Sequence, residues 1–380
     1  MQTIIFYAIV EIIAIALFAL ANKWREKRKE ITFFKKYKVN VKMCILPLVL
    51  SFLVLFSLIA LRDETVGTDY RTYIDAYNKI ADGTLNERES SWLGIGFQWT
   101  SKLFSLVFGN NYVIYFATLG FFTLFLFYKA FWENSKMPAF SLFVLISFCL
   151  YYQMFNQFRQ MFAIAMGLYA IKYIKDRKII PYIICILIAT SFHTSAIILL
   201  PFYFIANLKL GKNLFIAYGV LAVVAFFSFD ILKAVLQNTY YGQIYFGSNY
   251  DIGGKTSSIF NLVFRLGLLG ACLVFYPKMI KADEKNKILY HMAIICTILQ
   301  IITVRSYIFG RLTTYFFIFY CLLIPEIIDT VFKGKKWVIV ASVIILCMYH
   351  GIYFTSSSAE QSGYTHYQFL MQEVKEEVKE

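Results

Sequence analysis

Eleven apolar runs divide the chain, at roughly 3–21, 41–61, 112–131, 139–155, 158–174, 180–206, 213–229, 259–277, 288–304, 311–330 and 337–354. Many approach the ~20 residues that carry a helix across a hydrocarbon core. Lipid offers no partner to a backbone N–H or C=O, so such runs must close their hydrogen bonds within helices. The pattern predicts an all-α polytopic membrane protein with about 10–12 transmembrane helices. Residues 1–380 read as one integral membrane domain. Composition agrees: 16% of residues are charged, against about a quarter in a soluble domain. A soluble enzyme is excluded. The net charge of +14 is no argument for nucleic acid when the basic residues lie beside membrane spans. The seven cysteines all fall in apolar runs without a CxxC pair and read as small core hydrophobes. The first run is too long for a signal-peptide core, lacks a basic start, and reads as a retained helix.

Charge sets the expected topology. Nine basic residues between Lys23 and Lys42 place that loop in the cytoplasm by the positive-inside rule. The N-terminus and the segment 62–111 then lie outside, and 62–111 carries seven acidic residues against five basic. If 180–206 crosses once, the lysine-rich loops 278–287 and 333–336 fall outside. The conflict disappears if 180–206 is a re-entrant hairpin broken at Thr190-Ser191-Phe192-His193-Thr194-Ser195, with His193 near its outer tip. The competing reading is one long tilted helix with a buried His. On the hairpin topology, inside loops hold 24 basic and seven acidic residues, and outside segments hold 13 and 14. A second loop, 230–258, is then extracytoplasmic, and 355–380 forms a C-terminal tail.

The basic residue type also divides by side. Inside, 21 of 24 are Lys; outside, seven of 13 are Arg, namely Arg62, Arg71, Arg88, Arg159, Arg265, Arg305 and Arg311. Lysine suffices to orient a membrane protein, whereas the planar guanidinium fork matches phosphate or carboxylate. Arg62, Arg159, Arg305 and Arg311 stand close to span boundaries, where convergence would make a pyrophosphate-sized anion site. Taken singly, each could equally snorkel to headgroups or pair with an acid.

The loop 62–111 exceeds a connector. A helix capped at Thr68 would put Tyr70, Tyr73 and Tyr77 on one face and Asp69 in the first turn, where the dipole favours a carboxylate. Aromatic faces with a carboxylate suit a sugar ring; an ordinary interfacial tyrosine helix has the same pattern. The stretch from Trp92 to Phe108 reads as an amphipathic helix lying in the interface. His193 is one of four histidines and could take a proton from a sugar hydroxyl, although a lone histidine on a membrane hairpin is as readily structural. No second ligand stands at metal spacing from it, so no metal is called for. Glu11 lies mid-run, suiting a proton or substrate path or a hydrogen bond to a neighbouring helix. Without a GxxxxGKS loop, a dinucleotide fingerprint or a GxSxG, nucleotide chemistry and cofactors have no anchor. An enzyme of this kind draws its energy from a preactivated donor in the membrane.

Four segments in order resemble the EpsG-like, Wzy-type polymerases of bacterial exopolysaccharide and capsule assembly. They are Arg62-Asp-Glu-Thr-Val-Gly67-Thr68-Asp69-Tyr70-Arg-Thr-Tyr73, Phe155-Asn156-Gln157-Phe-Arg159-Gln160-Met-Phe-Ala163, Ser191-Phe192-His193-Thr194-Ser195-Ala196 running into Leu200-Pro201, and Gly310-Arg311-Leu-Thr-Thr-Tyr315-Phe316 with Pro325 following. Gly363-Tyr364-Thr-His366-Tyr367 is a loose version of the family's C-terminal aromatic pattern and carries no role here. The resemblance implies a glycosyltransferase of the bacterial plasma membrane, free of metal and nucleotide, with its active site facing outward. It would join oligosaccharide repeat units linked to undecaprenyl pyrophosphate, beside a flippase and a chain-length regulator as further partners. Arg159, Arg305, Arg311 and Arg62 would then hold pyrophosphate, His193 or Asp69 would be the base, and Tyr70, Tyr73 and Gln157 would contact sugar. A lipid-linked oligosaccharide flippase, or a ligase moving glycan to another acceptor, would share the hydrophobicity and the outer arginines.

Overall fold

A computed structural model describes residues 2–33, 37–238, 255–306 and 309–370. In chain order the helices are α1 (Gln2–Lys23), α2 (Ile45–Ala60), α3 (Tyr70–Asp82), α4 (Glu87–Trp92), α5 (Ile95–Phe108), α6 (Tyr112–Asn134), α7 (Pro138–Ser147), α8 (Phe158–Lys175), α9 (Ile179–Phe192) and α10 (Phe202–Ile205). They continue as α11 (Lys212–Phe227), α12 (Phe229–Gln237), α13 (Lys255–Val274), α14 (Tyr276–Ala282), α15 (Lys287–Thr303), α16 (Gly310–Phe317), α17 (Tyr320–Phe332), α18 (Lys336–Thr355) and α19 (Ser357–Gln361). The chain is an all-α polytopic membrane protein, with one antiparallel hairpin in its first basic loop. There β1 (Arg28–Phe33) pairs with β2 (Tyr37–Lys42), Arg28 opposite Lys42 and Phe33 opposite Tyr37.

Five stretches are long and apolar enough to cross a membrane: Gln2–Lys23, Tyr112–Asn134, Glu284–Thr303, Gly310–Phe332 and Lys336–Thr355. Two bent pairs, α11 with α12 at 56° and α13 with α14 at 53°, raise the number to seven. Among the described residues this is fewer than the 10–12 read from hydropathy. Several apolar runs fold as shorter helices, among them α2, α7 and α9, and α8 carries Arg159, Lys172 and Lys175 along its length.

The chain forms two compact units. The first comprises Met1–Tyr169, Leu187–Thr194 and Lys335–Glu380; the second comprises Ala170–Ile186 and Ser195–Gly334. In the first, α1 buries Tyr7, Glu11, Ala14, Phe18 and Ala21, a stripe at helical spacing. Its other faces leave Ile5, Ile9 and Ile12 exposed, as a helix bordered by lipid does. Small residues let α1 and α2 approach: the Ser51 hydroxyl donates to the Ala14 carbonyl at 2.6 Å and meets the Tyr128 hydroxyl at 2.8 Å. Glu11 accepts a hydrogen bond from the Tyr152 hydroxyl, and the ring of His350 lies 3.8 Å away. Of the two roles open to Glu11, bonding between neighbouring elements is therefore present in the fold.

In the second unit α15 is buried along nearly its whole length, and its His291 bonds the Tyr218 hydroxyl at 2.6 Å. The break expected at 190–195 falls where the chain leaves the first unit after Thr194 and enters the second at Ser195. Helix α9 ends at Phe192, and a 3-10 turn over Thr194–Leu199 leads into α10. The returning chain lies beside the start of α9: the Tyr182 hydroxyl donates to the Leu199 carbonyl at 2.6 Å, and its ring sits 5.5 Å from Tyr203. The segment is a helical hairpin turned at His193, and one long straight helix is excluded.

Candidate active site

The site is assembled around the turn that follows α2. Arg62 is the residue after the last of the apolar run, yet it is 1% exposed. Its guanidinium lies over three rings, 4.1 Å from the centroid of Tyr70, 4.5 Å from Phe158 and 5.0 Å from Phe155. None of its three guanidinium nitrogens has a hydrogen-bond partner among the described residues. Burial pulls its pKa below the ordinary arginine value, with the Tyr70 and Tyr367 phenols opposing the shift; an arginine nevertheless stays charged. Burial pushes the Tyr70 phenol up to about 12, with the Arg62 charge pulling the other way.

Three distant segments close over this cation. Gly67 has φ +95°, and a Cβ there would stand 2.5 Å from Asn156 Oδ1 and 2.7 Å from the Phe155 carbonyl oxygen; only glycine allows that approach. Asn156 Oδ1 accepts from the Asp69 N–H at 3.2 Å, while its Nδ2 donates to the Ser362 carbonyl at 2.9 Å and reaches the Tyr364 hydroxyl at 3.2 Å. The C-terminal segment then runs along the turn. Gly67 N–H donates to the Gly363 carbonyl, Asp63 N–H to Gln368 and Leu370 N–H to Leu61, at 3.3, 2.9 and 3.0 Å.

Arg159, in the first turn of α8, sits in a second aromatic nest. Nη1 donates to the Trp92 carbonyl at 2.9 Å, and the guanidinium lies 4.8 Å from the Trp92 ring, 5.4 Å from Tyr73 and 5.7 Å from Phe97. Its Nε is buried without a partner among the described residues, as are the side-chain carbonyl oxygens of Gln153 and Gln157. A buried cation is ordinarily matched by a carboxylate. Here aromatic faces and one backbone carbonyl take that place, leaving donors for an anion.

Helix α3 does align Tyr70, Tyr73 and Tyr77 on one face, but the face is buried. Tyr70 and Tyr73 support Arg62 and Arg159 and are not displayed as a surface for a sugar. The helix begins at Tyr70, so Asp69 is its N-cap residue where the sequence pattern put it in the first turn. His193 is half-buried and tied to the same assembly. Phe192 packs on Phe162, one turn beyond Arg159, at 4.4 Å between centroids. A Cβ on Gly94 would meet the Ser191 carbonyl oxygen at 2.4 Å, and one on Gly96 the Ser191 hydroxyl at 2.4 Å. The backbone leading into His193 thus rests on the turn after Trp92, whose carbonyl holds Arg159.

The first unit therefore gathers Arg62, Asp69, Tyr70, Tyr73, Gln157, Arg159 and His193. Arg305 and Arg311 belong to the second. Arg305 is paired: Nη2 donates to both carboxylate oxygens of Asp230 at 2.8 and 2.7 Å, beneath Phe226 and Phe229. Of the readings open to Arg305 from sequence, pairing with an acid is the one present in the fold. Arg311 begins α16 and is half-buried. In the same unit the Ser195 hydroxyl donates to that of Tyr315 at 3.3 Å, joining the hairpin's return to α16. Of loop 230–258, residues 239–254 lie outside the described structure, as do 371–380 of the tail and Tyr307 and Ile308 of the turn before Arg311.

Sequence reasoning passed over Trp92 as an arginine partner, Asn156 as the hub, and the 362–370 segment. Asn156 stood inside a quoted motif and Tyr364 in the aromatic one, but contacts between their segments leave no periodic signal. A family model described as the EpsG family matches residues 45–369. No curated protein and no solved structure matches the chain.

Proposed function

Because the chain belongs to the EpsG family, we propose that it is a polysaccharide polymerase joining repeat units carried on a polyprenyl pyrophosphate, undecaprenyl in a bacterial plasma membrane. The observation that carries this reading is the pair of buried arginines, Arg62 and Arg159, without a carboxylate partner among the described residues. Guanidiniums held in low dielectric, with donors unspent, suit an anion that arrives with the substrate.

In the reaction the acceptor hydroxyl oxygen bonds to the anomeric carbon of the growing glycan as the bond from that carbon to phosphate oxygen breaks. The electron pair leaves on the pyrophosphate, where Arg159 and Arg62 stabilise the developing charge. The hydroxyl proton passes to a general base. His193 is the favoured base, since it is anchored to the turn that holds Arg159; Asp69 at the α3 N-cap is the second choice. Tyr70 and Tyr73 act through the arginines as positioning residues. The side-chain carbonyl of Gln157 is an acceptor for a sugar hydroxyl. Arg311 remains a candidate for pyrophosphate, and Arg305 would first have to release Asp230. The site faces the outer leaflet, with α5 resting in the interface on Ile95, Trp99, Leu103 and Leu106, which are exposed. A flippase would supply the lipid-linked units and a chain-length regulator would limit the product.

The cellular test is the fate of the lipid-linked unit. Loss of this protein leaves single repeat units at the outer leaflet, open to an added glycosidase. Units trapped at the inner leaflet would mark a flippase, and intact free polymer not joined to its acceptor would mark a ligase.

A further inference from the structure

The first unit carries an apolar groove of about 320 Å³ between α5, α6, α8 and the end of α9. That is the lower end of the ~300–1,000 Å³ of small-molecule sites. Three of its residues, Thr100, Tyr115 and Thr118, carry hydroxyls that could have made it polar. Those of Thr100 and Thr118 donate to carbonyls of their own helices, Gly96 and Ile114, at 2.7 and 2.8 Å, that of Tyr115 donates to the Phe97 carbonyl at 3.3 Å, and the lining is almost wholly hydrocarbon and aromatic. A groove of this kind recognises nothing that needs hydrogen bonds.

Its position decides the occupant. Phe162 and Phe192 line it, and they are the ring pair that ties His193 to the helix of Arg159. Tyr115, another lining residue, packs on Phe97 at 5.6 Å, and the Arg159 guanidinium lies 5.7 Å from the centroid of the same Phe97 ring. Phe97 thus stands between an apolar channel and a buried cation with an unspent donor. A ligand that fills both is an anion joined directly to a hydrocarbon.

We propose that this groove holds the isoprenoid tail of the lipid diphosphate, the first isoprene units beside the phosphates packing between α6 and α8 while Arg159 holds the head. The inference rests on the polymerase reading for the identity of the lipid, and it is tested by binding. An ordinary phospholipid is the rival occupant.

The experiment uses the full-length protein in phosphatidylglycerol–phosphatidylethanolamine nanodiscs and a farnesyl diphosphate carrying a benzophenone on its terminal isoprene. Photolabelling is expected on the α6 and α8 peptides containing Phe122 and Met166, displaced by undecaprenyl diphosphate and not by added phosphatidylglycerol. Thr118→Trp and Met166→Trp, at half-buried positions, should each weaken labelling about tenfold, with Thr118→Ser unchanged; gel filtration reports their folding. Labelling elsewhere, equal displacement by phosphatidylglycerol, or full labelling of both tryptophan variants would overturn the proposal. Specific labelling without polymer formation would remove the polymerase and leave the groove. Polymer formation without labelling here would do the reverse.

Discussion

Replacing Arg62 by methionine should separate stability from function. The guanidinium is 1% exposed and its three nitrogens lack hydrogen bonds among the described residues. Removing a charge from water costs several kcal/mol even after relaxation. Three ring faces at 4.1, 4.5 and 5.0 Å return on the order of 1–2 kcal/mol each when desolvated. The balance is near zero or unfavourable, so a hydrophobe of similar length should leave stability unchanged or raise it by ~1–4 kcal/mol. If the cation is there for the leaving pyrophosphate, polymer synthesis should fall by about 10²–10³, the cost of one transition-state donor. Thermal unfolding in nanodiscs and polymer length from the same preparation read both quantities. A variant that unfolds well below wild type, with Arg62→Lys restoring it, would show that the charge serves the fold and not the leaving group.

Arg159→Lys keeps the charge but loses the fork and the flat face on Trp92; it should insert normally and lose polymer about 10²-fold or more, and normal chain length would remove Arg159 from the mechanism. Gly67→Ala and Gly94→Ala place a Cβ 2.5 Å from Asn156 Oδ1 and 2.4 Å from the Ser191 carbonyl oxygen; both should destabilise by more than ~1 kcal/mol, seen as early unfolding. Asp230→Asn removes a largely exposed partner of Arg305 and should change stability by under ~1 kcal/mol and polymer yield little; a hundredfold loss would put the pair in the mechanism. Glu89 is held below the ordinary carboxylate range by Lys79 and the Asn86 N–H. Its contribution is therefore complete above the unfolded value and lost as pH falls through the folded one. Hydrogen exchange across α4 should accelerate on acidification below about pH 4, and Glu89→Gln should abolish that response.

Helical membrane class was legible because lipid leaves a backbone few options, and the break at 190–195 because five polar residues around Phe192 interrupt an apolar run. The tyrosine face of α3 was legible as a face but not in its direction, since period says which residues align and not what they meet. Partner identity was least accessible. Arg305 finds Asp230 across 75 positions, and Arg159 is held by a backbone carbonyl that no residue code announces. The C-terminal segment pairs with 61–67 through main-chain bonds, which depend little on side chains. Two glycines, Gly67 and Gly94, make these approaches possible, and their role appears only once the neighbouring backbones are seen.

Polymerase activity is read by supplying purified protein in proteoliposomes with lipid-linked repeat units and resolving the product by size. Wild type should yield a ladder without added nucleotide, and Arg159→Lys that is folded by gel filtration should yield single units only. No ladder from wild type with competent units, or an undiminished ladder from Arg159→Lys, would contradict a polymerase that uses Arg159 on the leaving pyrophosphate.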